Sequence, residues 1–210
     1  MAEFTPTRSL AITLADERRT MREGYAFLDE KCVLLAGEML RQLQRWQRQQ
    51  ALWRQALAQA RAALRAAVAR HGLHGLQTYP PVAPTTQSQP LQRTPRSLLG
   101  VALQSAVWGS ASAASPVRVA AEAPLQPSPE ALACAQAYAA LLPATAELAA
   151  LSGNLARLYA EYRRTVRRVR ALQDVLLPEA DRTLREIEAS LEELEQDEAA
   201  VLRRVAQPHD

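Results

Sequence analysis

The stretch RRTVRRVRALQDVLLPEADRTLREIEASLEEL, from Arg163 to Leu194, decides the fold. It opens with five arginines in eight residues and closes in glutamates. Its apolar residues recur at steps of three and four, which places them on one stripe of an α-helix. The stripe extends in both directions: Leu148, Leu151, Leu155, Leu158, Tyr162, Val166, Val169, Leu172, Leu176, Ala180, Leu184, Ile187, Leu191, Leu194, Glu198 and Val201. Two consecutive steps of four occur at Tyr162 and again near Pro178. Pro178 lacks an amide donor, so it is expected to kink or weaken the helix locally while the stripe continues past it. Pro143 is read as a bend or a helix start. Ser128-Pro129-Glu130 reads as an N-cap and first turn.

A second stripe lies near the start of the chain. It runs through Leu10, Leu14, Met21, Tyr25, Leu28, Cys32, Leu35, Met39, Leu43, Trp46, Gln50, Trp53, Leu57, Ala60 and Leu64. From Met21 the steps alternate three and four, the spacing of a coiled coil, with one local stutter at Leu35–Met39–Leu43. At ~1.5 Å rise per residue, a helix of ~64 residues would reach roughly 95 Å. His71-Gly72 and His74-Gly75 end it, glycine taking the left-handed conformation after the last turn.

Between the two helical segments the chemistry changes. YPPVAPTTQSQP and Pro127-Ser128-Pro129 are turn and linker sequence. SLLGVALQSAVWG is apolar, bends at Gly109, and reads as short strand-like pieces or a hairpin. The reading is an all-α protein: a long antiparallel two-helix coiled coil of N- and C-terminal helices, with a short irregular or β-hairpin-like insert. Its segments are 1–75, 76–128 and 129–210. The two ends of the chain lie together, so residues near Leu28 are expected to pair with the last helix beyond Pro178.

Composition supports helices. The 210 residues are rich in Ala, Leu, Arg, Glu and Gln, with 5% aromatics and two Phe, too few for a wide multilayer core. Net charge is +3, unevenly spread. Residues 40–121 carry ten arginines and no acid, whereas 122–210 carry fifteen acids and ten bases. A basic middle suits nucleic acid, anionic lipid or an acidic protein partner. Two cysteines make no disulfide framework, no apolar run is long enough to span a membrane, and acids appear too early for a secretory signal. A cytoplasmic protein is expected.

No catalytic constellation stands out. The sequence holds no phosphate-cradling loop, no GxSxG and no HExxH. His71 and His74 could share one side of a turn, but a metal site wants three or four ligands, and incidental histidines at a helix end are the better reading. Cys32 falls on the first stripe as a small apolar residue. Trp46 and Trp53 lie seven apart, which favours packing over base stacking. The belt of Arg163, Arg164, Arg167, Arg168 and Arg170 is the sharpest feature. The acidic turns after it would repel a phosphate backbone, so carboxylates of another protein suit it better than nucleic acid.

Three stretches carry a family likeness. Pro6-Thr7-Arg8 with Leu10, Arg22, Gly24, Leu28 and Lys31 is similar to a PTR…L…G…LLKxKRD pattern. Val107-Trp108-Gly109 looks like a short VWG-type element. Thr165-Val166-Arg167-Arg168-Val169-Arg170-Ala171-Leu172 is similar to T-x-R-R-V-N-A-L-E, followed in both by a hydrophobic pair, a proline and an acid-rich helix. The family is the D subunit of the V-type and archaeal-type (A-type) ATPases, which the chain resembles over both helices. It departs at Arg170, where Asn is usual, at Gln173, where Glu is usual, and at Cys32-Val33, where Arg-Asp is usual.

The resemblance implies a central stalk, or rotor shaft, with no active site and no cofactor. Its helices would enter the cavity of the hexamer of catalytic and non-catalytic subunits. The insert end would face the small F subunit of the central stalk, and the lower part would seat on the funnel-shaped subunit above the membrane ring. Such a shaft couples ATP hydrolysis or synthesis to transport of H⁺ or Na⁺, peripheral to the membrane on the cytoplasmic side. Partner contacts would fall at Arg8, Lys31, Val107, Trp108, Gly109, Arg163, Arg164, Arg167, Arg168, Arg170 and Pro178. A free-standing coiled-coil scaffold or tether is the first rival reading, and a basic nucleic-acid-binding hairpin the second.

Overall fold

The computed structural model describes residues 7–77, 91–108 and 128–206. In chain order the elements are helix α1 (Arg8–Gln77), strands β1 (Gln92–Leu98) and β2 (Val101–Val107), helix α2 (Pro129–Ala171), a π turn (Leu172–Leu176) and helix α3 (Leu177–Ala206). The expected architecture of long N- and C-terminal helices with a hairpin insert is what the chain adopts. It divides into two compact units, Met1–Leu34 with Tyr162–Asp210, and Leu35–Glu161.

In the first unit, Thr7 caps α1. Its Oγ1 accepts the Leu10 N–H at 3.2 Å and its carbonyl accepts the Ala11 N–H at 3.1 Å, satisfying donors that the first turn leaves without helical partners. Leu10, Leu14, Met21, Tyr25, Leu28 and Cys32 are half-buried along α1, while Val169, Leu184 and Ile187 are buried on the C-terminal side. Ion pairs fix the direction. Arg8 meets Glu195, whereas Arg18 and Arg22 reach Asp181 Oδ1 at 3.2 and 3.4 Å, so partner numbers fall as α1 advances and the pairing is antiparallel. With Asp181 already level with Arg18 and Arg22, Leu28 lies opposite chain that precedes Pro178. The expected pairing of Leu28 beyond the proline is therefore displaced towards the N-terminal side of Pro178.

The π turn explains how the helix passes Pro178. In an α-helix the proline ring would strike the carbonyl four residues earlier. Here the Leu177 N–H bonds to the Leu172 carbonyl, five residues back, so one extra residue is taken into the turn just before the proline. The run of steps of four through Leu172, Leu176, Ala180 and Leu184 is the sequence counterpart of that extra residue. After the turn the stripe resumes at Leu184 and Ile187, and it fades beyond Leu191, for Leu194, Glu198 and Val201 are exposed.

The second unit holds the middle and end of α1, the hairpin and most of α2. Trp53 Nε1 donates to Thr145 Oγ1 at 2.9 Å, and Arg70 Nη1 bonds both carboxylate oxygens of Glu130 at 2.6 Å, again antiparallel. Ser128 is the N-cap anticipated for α2. Its carbonyl accepts the Leu132 N–H at 3.0 Å, its Oγ accepts the Ala131 N–H at 3.3 Å, and His71 Nε2 lies 2.6 Å from the same Oγ. α1 breaks at Gly72 (φ 69°, ψ 164°), as the glycine suggests, and then resumes to Gln77. Pro143 lies inside α2, so it does not start a helix, which corrects that half of the expectation of a bend or a helix start.

The hairpin is closed by Leu99 and Gly100, with φ of 50° and 84°. Two positive φ values are the combination of a type I′ turn, whose twist matches that of the flanking strands. The register pairs Leu98 with Val101, Arg96 with Leu103 and Pro95 with Gln104. Residues flanking a two-residue turn exchange hydrogen bonds, and the pattern alternates along the ladder. Pro95–Gln104 is therefore a pair whose backbone groups point outward, and the missing donor of Pro95 costs no rung.

Candidate functional site

Gln104 spends its outward-pointing backbone groups on α2. Asn154 Oδ1 accepts the Gln104 N–H at 2.8 Å, and Asn154 Nδ2 donates to the Gln104 carbonyl at 2.8 Å. One side-chain amide thus stands in for a neighbouring strand. Asn154 is 4% exposed, and Arg157 Nη2 donates to the same Oδ1 at 2.7 Å. One rung of each outer edge is thereby withheld from strand addition, that of β2 by Asn154 and that of β1 by the absent donor of Pro95.

A second tie joins the hairpin to α1. Glu38, 5% exposed, accepts from Arg41 Nε at 2.9 Å, Gln42 Nε2 at 2.8 Å and Arg96 Nη2 at 3.0 Å. Arg96 reaches it because cross-strand neighbours share a face, and its neighbour Leu103 is buried there with Val101. Burial alone would push the Glu38 carboxyl up; hydrogen bonds from Gln42 and Arg41, with the charges of Arg41 and Arg96, outweigh it and hold the group below its ordinary value.

Beneath the hairpin, α1 and α2 leave a cleft of about 650 Å³. Gln42 and Arg45 line one wall, Pro143 and Glu147 another, and Leu103, Val107 and Trp108 come from the strand. Val107 is 50% and Trp108 41% exposed. Both are among the expected partner residues, and both line this cleft. Gly109 lies outside the described residues.

The arginine belt occupies the last turns of α2. Arg163, Arg164, Arg167, Arg168 and Arg170 are all exposed, while Thr165 and Val169 take the buried positions between them. Arg167 Nε donates back to the Arg163 carbonyl at 3.3 Å. Elsewhere in the same unit, Arg8 lies in the first turn of α1 against Glu195, Lys31 is half-buried on α1, and Pro178 is half-buried at the second position of α3. The expected contact residues therefore belong to different units of the chain.

Neither cysteine is built as a nucleophile. Burial pushes both thiols up, and Asp29 raises Cys32 further while Lys31 pulls it back. Among the described residues no group of three or more His, Cys, Asp or Glu side chains is placed to hold a metal, and no helix is long and apolar enough to cross a membrane.

Compared with known families, the sequence matches that of the ATP synthase D subunit over residues 11–207. The match covers both helices, the hairpin, the arginine belt and Pro178. The chain belongs to the ATP synthase D-subunit family. A search among curated proteins gives no match. As a member of this family, the chain is a stalk component of an ATPase complex.

The residues that sequence reasoning missed are Glu38, Gln42, Arg96 and Asn154. A signal existed for the first two. Glu38 and Gln42 are an i, i+4 pair beside Leu43 on the assumed stripe, and the helix turns that polar pair inward while Leu43 is 38% exposed. Asn154 gave no such signal, since one amide within an apolar helical run is usually solvated.

Proposed function

We propose that this stalk component is the rotor shaft of a V/A-type rotary ATPase. In this reading it carries torque between ATP turnover in a hexamer of catalytic and non-catalytic subunits and movement of H⁺ or Na⁺ through a membrane ring. The chain would then be non-catalytic and need no cofactor of its own. It would sit on the cytoplasmic side, peripheral to the membrane, with the small F subunit and the funnel-shaped subunit as further neighbours.

The observation that carries this reading is the family match over 11–207, read together with where the charge lies. A shaft must present different contacts at each angle to catalytic interfaces that are otherwise alike. Five exposed arginines on α2 followed by the acid-rich α3 make a surface polarised along and around the helix. Exposed ion pairs stabilise by only ~0–1 kcal/mol each, so such a belt adds little to folding and more to recognition by partners. The π turn at Leu172–Leu176 lies directly after it and makes the helix locally irregular.

The test is to replace Arg164, Arg167 and Arg168 together with Gln. ATP-driven ion pumping by the reconstituted complex should fall several-fold, while the isolated chain melts within ~1 kcal/mol of the parent. Normal pumping by a fully assembled triple variant would remove the belt from the mechanism. A free-standing scaffold predicts instead that the tagged chain purifies as a defined homodimer without nucleotide-hydrolysing companions.

A further inference from the structure

We propose that the cleft beneath the hairpin is a docking site for a peptide segment of another subunit. That segment would bring a carboxylate to Arg45 and aliphatic side chains to Val107 and Trp108. The proposal rests on membership in an ATPase complex and is independent of rotation.

Four observations carry it. The cleft holds about 650 Å³ and is walled by Leu103, Val107, Trp108, Pro143 and Leu151; Leu103 and Leu151 are buried, so Val107, Trp108 and Pro143 offer the apolar surface to side chains entering from outside. Its mouth keeps two large apolar side chains in solvent, Val107 and Trp108, at 50% and 41% exposure. Its floor holds an unspent polar group: Gln42 is 6% exposed, and its Oε1 is buried without a donor among the described residues. Native interiors rarely leave such an acceptor unpaired, and a donor side chain of the entering segment supplies the complement.

The fourth observation is charge. Arg45 lines the cleft and makes no ion pair among the described residues, whereas the cleft's other arginine, Arg96, is already held by Glu38. Residues 40–121 contain ten arginines and no acid, so the local field favours an anionic partner. Glu147 on the α2 wall opposes a polyanion, which separates an acidic peptide from nucleic acid. Strand addition is disfavoured, because Asn154 occupies the central outward rung of β2 and Pro95 interrupts the edge of β1. The occupant must enter by its side chains, against the hairpin's face.

The test uses the assembled ATPase complex with a photo-reactive phenylalanine analogue at Val107. The expected result is a cross-link to one other subunit, at a segment with Asp or Glu within a few residues of the linked position. Arg45→Glu should lower the yield about tenfold, and Arg45→Lys should keep most of it. Circular dichroism of each variant and recovery of the complex are measured alongside. Because Arg45 is exposed, both variants should fold and assemble. A cross-link confined to residues 109–127 of this chain, a link to nucleic acid, no link in an intact complex, or a yield indifferent to Arg45→Glu would each overturn the proposal. Failure of the unsubstituted chain to assemble with an ATPase complex would instead count against the stalk reading.

Discussion

Asn154→Ala should release the hairpin from α2 without unfolding the helices. The substitution removes two hydrogen bonds of 2.8 Å to the Gln104 backbone and the 2.7 Å bond from Arg157. Each ordinary hydrogen bond contributes about 1 kcal/mol net, and a buried backbone group left unpaired costs about 1–3 kcal/mol. Gln104 is only half-buried, so water recovers part of that, and the local loss comes to roughly 2–4 kcal/mol. At 1.4 kcal/mol per factor of ten, hydrogen exchange at the Gln104 amide should accelerate by roughly 30- to 700-fold. Exchange in the buried turns around Leu158 should stay nearly unchanged. Asn154→Asp should fall between the two, because a carboxylate still accepts the Gln104 N–H but repels its carbonyl. Amide-resolved exchange by NMR gives the answer. A folded Asn154→Ala variant whose Gln104 amide exchanges within twofold of the parent would refute the clasp.

Three further outcomes follow from the same geometry. Glu38 is held below its ordinary pKa, so its contribution is fully present above the unfolded carboxylate range, about pH 4.3, and is lost as pH falls through the folded value; Glu38→Gln should lower stability by roughly 2 kcal/mol at pH 7 and flatten acid melting below pH ~5, since Arg41 and Arg96 are exposed and can return to water. Leu99→Asn should stabilise the chain by about 0.5–1 kcal/mol in thermal melts, because Leu99 holds a φ of 50° that asparagine accepts more readily, whereas an unchanged or lower melting temperature would deny strain at the turn. Deleting Val175 should cost about 3 kcal/mol by returning Pro178 to α-helical register, and adding Pro178→Ala should recover most of it; additive losses in that double-mutant cycle would contradict the account of the π turn.

Much of this fold is written in local pattern. Two stripes at steps of three and four give the helices, Gly72 gives the break in α1, and Ser128-Pro129-Glu130 gives the start of α2. Even the π turn has its trace in the run of steps of four around Pro178. The hairpin is harder to see. β1 reads QRTPRSL, with no apolar alternation, and six of its seven residues are exposed. Its turn uses Leu at a left-handed position where glycine or asparagine would have announced it. The ties that hold it come from residues far apart in sequence, Arg96 with Glu38 and Gln104 with Asn154, and no local pattern encodes such pairs. Pro143 misleads as a helix start for a related reason: a helix supported by tertiary packing tolerates a proline that its local propensity disfavours.

The central claim is that this chain turns while its neighbours hydrolyse ATP. With the hexamer fixed to a surface and a bead tethered to the exposed hairpin through Arg93→Cys, single-molecule microscopy tests it most directly. The account predicts unidirectional rotation of the bead that starts with ATP and stops when ATP is withdrawn. A bead that stays fixed while the same complexes hydrolyse ATP would contradict it.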